Sequence, residues 1–323
     1  MTVAAAGGQA RLAHFPIAFF AVTMGLFGLT LALHAAEGTV PGAAAASIAM
    51  LWASAAVLAA IAVLYAAKWV LHGREARAEW GHPVRIAFFP AISISLLLLA
   101  TALLPSAPEV ARAVWIAGAA AQGALTLAVV STWIGERTFG QQHLSPAWFI
   151  PAVGNVIVPL AGAPLGFLEI SWLFFSAGLV FWIVLLTLVF NRLVFHAPLP
   201  GRLYPTLVIL VAPPAVAFVA WLKLTGEVDA FARILLNAGY VFAAIVAVQL
   251  PRILRLPFAL PFWALSFPVA ALSIASFAYA REAGSEAHAV VGTALLAILA
   301  LTVVALVGRT AVAIARGEIC RPE

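Results

Sequence analysis

The strongest constraint in this sequence is a series of ten apolar windows that contain no aspartate, glutamate, lysine or arginine. Each window holds 17 to 24 residues, and a bilayer span needs about 20 largely apolar residues. The windows are longer than the strands of membrane barrels and do not alternate between polar and apolar residues, so helices are predicted. The ten predicted spans cover residues 14–36, 44–67, 86–105, 113–135, 146–167, 170–191, 203–222, 234–250, 258–280 and 287–308.

Composition places the whole chain in the membrane class. Charged residues make up 9% and hydrophobic residues 65% of the sequence, against about 25% and 45–50% in soluble domains. The 17 basic residues are scattered over loops, which membrane topology explains better than nucleic-acid binding does. Cys320 is the only cysteine, so no disulfide framework or cysteine-based metal site is expected. We predict one transmembrane domain over residues 1–323, in contact with the lipid bilayer and without metal or other cofactor.

Prolines recur in every second span. Those deep inside spans all lie in odd-numbered ones, and five of them are spaced 55 to 74 residues apart: Pro16, Pro90, Pro151, Pro213 and Pro268. A proline inside a helix removes one backbone hydrogen bond and bends the helix, which a membrane helix tolerates where it faces protein or water. The pattern predicts an all-α integral membrane protein of ten helices. Five hairpins, each of one bent and one straight helix, would form a quasi-fivefold ring with the bent helices around a central pore.

The distribution of lysine and arginine predicts the orientation. With the N-terminus on one side of the membrane, that side holds 13 of these residues and the other side holds 4. Positive residues concentrate in cytoplasmic loops. Both termini are therefore expected in the cytoplasm.

The chemistry that the spans lack limits the possible functions. They contain no ionisable carboxylate or amine, which proton- and sodium-coupled carriers usually need. No HExxH, GxSxG or P-loop pattern occurs, so we do not expect an enzyme. Weakly polar side chains remain for a permeation path, Ser95 and Ser276 among them, and those predicted to line it are Ser93, Asn155, Ser266 and Ser273. A wall of this kind has no ring of fixed charge, and weak binding without a coupling group favours a channel over a carrier.

Four stretches carry a resemblance to a known family. They read EARAEWGHPVR at residues 75–85, SPAWFIPAV at 145–153, GEVD at 226–229 and WALSFP at 263–268. On these stretches, and over nearly its whole length, the chain resembles the tellurite-resistance/dicarboxylate transporters, which include bacterial TehA and the slow anion channels of plant guard cells. The resemblance implies ten helices around a central pore, usually as a homotrimer with one pore per subunit. It also implies a multi-pass protein of the bacterial inner membrane.

The same resemblance implies a gate. In the family, a phenylalanine on the ninth helix plugs the pore, and the matching residue is Phe267, directly before Pro268. We expect a passive channel for small monovalent anions such as chloride and nitrate. Because the family also contains transporters of dicarboxylates and sulfite, and its name reflects tellurite resistance, a carrier or exporter of such anions is the alternative.

The loop before span 3 has two interpretations. Arg77, Glu79 and Arg85 either form an ion-pair cluster that fixes the start of span 3, which we favour, or the two arginines attract anions. An exposed ion pair is worth only about 0–1 kcal/mol. A structural cluster would therefore have to be buried.

Overall fold

The structure, a computed structural model, describes residues 11–135 and 139–321. All regular secondary structure in these two ranges is helical. Within the described ranges, nine helices are long and apolar enough to cross a membrane, and the helical segment 146–162 is shorter. These ten elements correspond in order to the ten predicted spans, and we keep the numbers of the spans for them.

Five long helices, the even-numbered spans, form the outside of the bundle. Only 22 to 33% of the most apolar window of each is buried inside the protein, and many of their exposed side chains are large and apolar. Such a surface is suited to lipid. The five outer helices are Ala43–Leu71, Pro108–Gly135, Leu168–Phe195, Ala230–Ile253 and Glu286–Ala315.

The odd-numbered spans form the inside of the bundle. In the four longer ones, 72 to 83% of the most apolar window is buried. Span 5 is the shortest and the most interrupted, with two short α-helices joined by a 3₁₀ turn. The five inner spans are Ile17–Ala35, Arg85–Leu103, Pro146–Gly162, Gly201–Thr225 and Leu260–Ala283.

The inner spans close into a ring. Span 1 packs against span 3, span 3 against span 5, span 5 against span 7, span 7 against span 9, and span 9 against span 1. Each outer helix packs against the inner span of its own hairpin and against the next inner span. Because every outer helix returns across the bundle, the five inner spans run in the same direction. The predicted ring of five hairpins, with the proline-containing spans inside, is confirmed.

The prolines mark the places where 3₁₀ turns meet α-helices. Pro90 directly precedes the α-helix Ala91–Leu103, Pro213 lies in the first turn of Ala212–Thr225, and Pro268 lies in the first turn of Ser266–Ala283. The sequence suggested bends within continuous helices, but here four of the five prolines lie where α-helices begin, Pro151 in the first turn of Phe149–Val153. Pro16 instead directly precedes the 3₁₀ turn Ile17–Phe19. The first backbone N–H groups of an α-helix have no partner within it, so a proline costs little there.

The outer helices extend beyond the predicted windows. Span 8 runs over Ala230–Ile253, whereas the sequence predicted 234–250. It therefore includes two arginines and, near its end, Pro251. Long basic side chains reach the membrane surface from terminal helical turns, so charged residues at a window's edge do not end the helix. The interiors of the outer helices contain no proline, but their ends can, as Pro251 shows.

Candidate functional site

Two cavities lie on the axis of the ring, and all five inner spans contribute to each of them. The first has a volume of about 40 Å³ and is lined by residues early in the inner spans, such as Ala21, Phe88 and Ala264. The second has a volume of about 50 Å³ and is lined by later residues, such as Ile94 and Ile157. Since the inner spans are parallel, the cavities follow one another along the axis.

The two cavities meet at a waist of side chains that line both. The waist consists of Met24, Ile150, Ile209, Ala212 and Phe267. Four inner spans contribute to it, and each of its side chains is 7 to 9% exposed. Among residues 11–135 and 139–321, no aspartate, glutamate, lysine, arginine or histidine lines either cavity. The path along the axis is therefore apolar where the two cavities meet.

Phe267 is held at this waist by the close approach of spans 1 and 9. It is the second residue of the α-helix Ser266–Ala283, just after the 3₁₀ turn Leu260–Leu265. A methyl group added at Gly28 would lie 2.9 Å from Cβ of Ala270 and 3.4 Å from Cδ2 of Phe267. Small residues let membrane helices approach in this way. The ring is thus backed by span 1 and faces open space on the axis.

The four polar side chains predicted to line the path lie elsewhere. None of them lines either cavity, and all are buried. Each donates a hydrogen bond to another group. Ser93 donates to Oε1 of Gln122 (2.7 Å), and Asn155 donates to the carbonyl of Ala152 (2.7 Å). Ser266 donates to the carbonyl of Trp263 (2.6 Å), and Ser273 donates to the carbonyl of Gly292 (2.9 Å). Around the two cavities, the expected polar lining is replaced by an apolar wall. A serine hydroxyl in an apolar helix bonds more readily to a nearby carbonyl than it remains unpaired.

Span 5 is held by a polar network that the sequence did not reveal. The hydroxyl of Thr126 donates to the carbonyl of Pro151 (2.8 Å), and Nε2 of Gln122 also reaches that carbonyl (3.3 Å). Both side chains belong to outer span 4, and Gln122 is fully buried. Gln122 lies in a run of alanine and glycine at residues 117–123. The signal that could have identified it is the cost of burying an amide without partners.

The loop cluster predicted around Glu79 has a different composition. Glu79 pairs with Lys68 at 2.7 Å, and both side chains are almost fully buried. Arg77 is exposed and Arg85 is half-buried. The prediction that Glu79 pairs with these arginines is wrong, because its carboxylate is paired with Lys68 at the end of span 2. The expectation that a structural pair must be buried holds for the new pair.

No group of three or more histidine, cysteine, aspartate or glutamate side chains suited to a metal ion occurs within residues 11–135 and 139–321.

Sequence comparison identifies the family of the chain. A family model described as "Voltage-dependent anion channel" matches residues 14–311. The chain belongs to this family.

Its relatives include plant and bacterial proteins. The S-type anion channel SLAH2 of Arabidopsis thaliana is 29% identical over 93% of this chain and 59% of its own length. SLAH3 of the same plant is 32% identical over 80% of this chain and 41% of its own length. The tellurite resistance protein TehA homolog of Haemophilus influenzae is 30% identical over 82% of this chain and 81% of its own length. The chain thus spans about half the length of the two plant relatives and most of the bacterial one.

Proposed function

We propose that this protein is a passive channel for small monovalent anions, chloride and nitrate among them, and that Phe267 is its gate. One observation carries the proposal: two apolar cavities on the axis of the ring meet at Phe267, which lines both. An apolar side chain at such a junction stops ions by its size and by excluding water. The family description and the names of the plant relatives support anions as the transported class.

The composition of the wall supports passive flow. The residues that line the cavities include no group that could carry or release a proton near neutral pH. Proton relays and ion-coupling sites in membranes are built from such groups. The wall also presents no nucleophile or general base, so the proposed activity is transport without catalysis.

A second candidate is a carrier or exporter of small anions such as C4-dicarboxylates, sulfite or tellurite. The observation that favours it is the similarity to the TehA homolog, which extends over most of both chains. The two candidates differ in whether transport is coupled to another gradient.

Electrical recording separates them. Purified wild-type protein and the Phe267→Ala variant are reconstituted in planar bilayers with a chloride gradient and, separately, a pH gradient. A channel gives stepwise currents whose reversal potential follows the chloride gradient alone. A reversal potential that shifts with the pH gradient would identify a proton-coupled carrier and reject the proposal.

We also propose a homotrimer with one path per subunit, in the bacterial inner membrane with both termini in the cytoplasm. The 13 to 4 distribution of basic residues supports this orientation. The lipid-facing outer helices leave the path inside each chain, so an oligomer needs no shared pore. Native mass spectrometry of the detergent-solubilised protein measures the subunit number, and a C-terminal reporter fusion measures the side of the tail. A monomer, or a tail outside the cytoplasm, would contradict this assignment.

A further inference from the structure

A buried ion pair joins three parts of the chain at the end of the bundle where the inner spans begin. Nζ of Lys68 lies 2.7 Å from Oε2 of Glu79, with side-chain exposures of only 3% and 2%. The hydroxyl of Tyr65 donates to the same carboxylate oxygen at 3.1 Å. Lys68 and Tyr65 belong to span 2, whereas Glu79 belongs to the short helix Gly73–Trp80 that leads to span 3.

The pair also holds the backbone on both sides of Pro16. Nζ of Lys68 donates to the carbonyl of Phe15 at 2.8 Å. The N–H group of Ile17 donates to Oε1 of Glu79, also at 2.8 Å. Pro16 between them is extended, with φ −83° and ψ 144°, so neither peptide group is placed by a regular helix. The cation and the carboxylate replace the helical hydrogen bonds that the break at Pro16 leaves unmade.

This attachment lies at the start of span 1, just before the residues of that span that line the axial path. Ala21 lines the first cavity and Met24 lines both. They lie in the first two turns of the α-helix Phe20–Ala35, which directly follows the 3₁₀ turn Ile17–Phe19. A change at the backbone of Ile17 would therefore be transmitted along span 1 to the wall of the path.

We propose that Lys68 and Glu79 form a positioning pair that sets the depth and rotation of span 1 at the path. The inference rests on the proposed function for its meaning, because the path is the proposed anion route. It goes beyond that function by assigning a role in permeation to two charged residues that do not line either cavity.

A purely stabilising role is the competing account. Removing one partner of a buried ion pair is strongly destabilising, whereas replacing both partners is often close to neutral. The useful variant is therefore the double change Lys68→Met with Glu79→Gln. It removes both charges together and takes the donor away from the carbonyl of Phe15. Tyr65→Phe is a milder second variant, since it removes one donor to Glu79 and leaves the charges in place.

The first measurement does not depend on ion flow. Ala21→Cys is introduced with Cys320→Ser, so that the new thiol is the only one in the chain. The rate at which a charged thiosulfonate reagent modifies Cys at position 21 reports how that position is presented in the first cavity. We expect the double variant to change this rate about fivefold or more, which corresponds to about 1 kcal/mol, and Tyr65→Phe to change it in the same direction by less.

The second measurement is the unitary conductance of Phe267→Ala channels with and without the double change. Unitary conductance is independent of how many channels fold, so loss of stability alone leaves it unchanged. Ser54→Ala is the matched control, because Ser54 also joins spans 1 and 2, through a hydroxyl contact of 3.1 Å with Thr30. We expect the double change to alter the conductance and Ser54→Ala to leave both readouts at the parent level.

The outcomes are distinct. If the folded double variant and Tyr65→Phe both label at the parent rate, the pair only stabilises the fold and the inference is wrong. If the double variant does not fold, the Tyr65→Phe variant decides. A changed labelling rate and conductance would support the positioning role, and parent values of both would overturn it. If the labelling rates change while Phe267→Ala carries no current, the proposed channel function fails and the positioning role stands.

Discussion

Phe267 differs from most large aromatic side chains of the inner bundle because open space adjoins it on two sides. Phe218 and Phe277 are enclosed, with 0% and 1% of their surfaces exposed. Phe267 is 8% exposed and lines both axial cavities. A ring beside empty space has fewer packing contacts than an enclosed one. Truncating Phe267 should therefore cost less stability than truncating its enclosed neighbours.

We predict that Phe267→Ala folds and raises anion conductance tenfold or more. The change removes the bulk that separates the two cavities, and a barrier lower by about 1.4 kcal/mol already gives a tenfold higher rate. Phe267→Leu should give an intermediate conductance. Single-channel recording in reconstituted bilayers measures all three proteins.

Two phenylalanine variants serve as controls for the gate. Phe262 is buried but lines neither cavity, so Phe262→Ala should have little effect on conductance. Phe277 packs against Gly292 of span 10. Phe277→Ala should lower the free energy of unfolding by the usual cost of about 3–5 kcal/mol for a core ring. It should therefore lower the yield without opening the path. A well-folded Phe267→Ala protein that is as silent as wild type would show that Phe267 is not the gate.

Charge burial leads to a second prediction for single residues. Lys68→Met leaves the buried carboxylate of Glu79 without its cation, and losing one partner of a buried pair costs about 3–5 kcal/mol. Arg77→Ala is the matched control, because Arg77 is exposed and exposed substitutions are usually within about 0.5 kcal/mol. Thermal unfolding in detergent should show a large drop for Lys68→Met and almost none for Arg77→Ala. Equal effects would contradict the pairing.

Span 5 shows how an outer helix supports a broken inner one. It consists of the helices Phe149–Val153 and Val158–Gly162 with a 3₁₀ turn between them. Backbone carbonyls at such breaks lose helical partners and must find others in the membrane interior. Gln122 and Thr126 of span 4 supply the donors, and Gln122 also accepts from Ser93 of span 3. The network thereby connects spans 3, 4 and 5.

We predict that Gln122→Leu lowers stability by about 1–3 kcal/mol, the cost of leaving a buried polar partner unsatisfied. Ser93 would keep its bond to the carbonyl of Pro90 but lose its acceptor in span 4. Thr101→Val is the control, since the hydroxyl of Thr101 bonds within its own helix to Leu97. The midpoint of thermal unfolding in detergent measures both variants. A drop in the midpoint that is no larger for Gln122→Leu than for Thr101→Val would show that the network does not stabilise span 5.

At the scale of the whole molecule, the ring produces an axis without fixed charge. The charged residues of the described chain lie at the ends of spans, in loops or in the buried pair, and none lines the two cavities. An ion on this axis loses part of its hydration and gains little in return. The cost of dehydration should then dominate the choice among anions.

We predict that nitrate and iodide are at least as permeant as chloride, and that sulfate and phosphate are poorly permeant. Larger monovalent anions lose their water more easily, whereas divalent anions hold it strongly. Reversal potentials of Phe267→Ala channels under bi-ionic conditions measure the order. A clear preference for a divalent anion would contradict an apolar, uncharged path and favour the carrier.

The positions of the spans and the order of the ring could be inferred from the sequence alone. Long windows without charge require membrane helices, because unpaired backbone groups are too costly in lipid. The restriction of interior prolines to alternate spans indicated which helices lie inside. The predicted role of Phe267 as a gate came from resemblance to a family, since nothing in the local sequence distinguishes this residue from the other phenylalanines of the chain.

Only the tertiary structure decided where polar side chains point and which charges meet. The direction of Ser93 or Ser273 depends on the rotation of its helix and on the nearest carbonyl of a neighbouring helix. Lys68 and Glu79 are separated by a helix end and a turn, and Arg77 is nearer to Glu79 along the chain. Composition and periodicity are properties of one segment, whereas these contacts arise from the packing of several. For that reason the sequence could predict the frame around the path but not the side chains that form its wall.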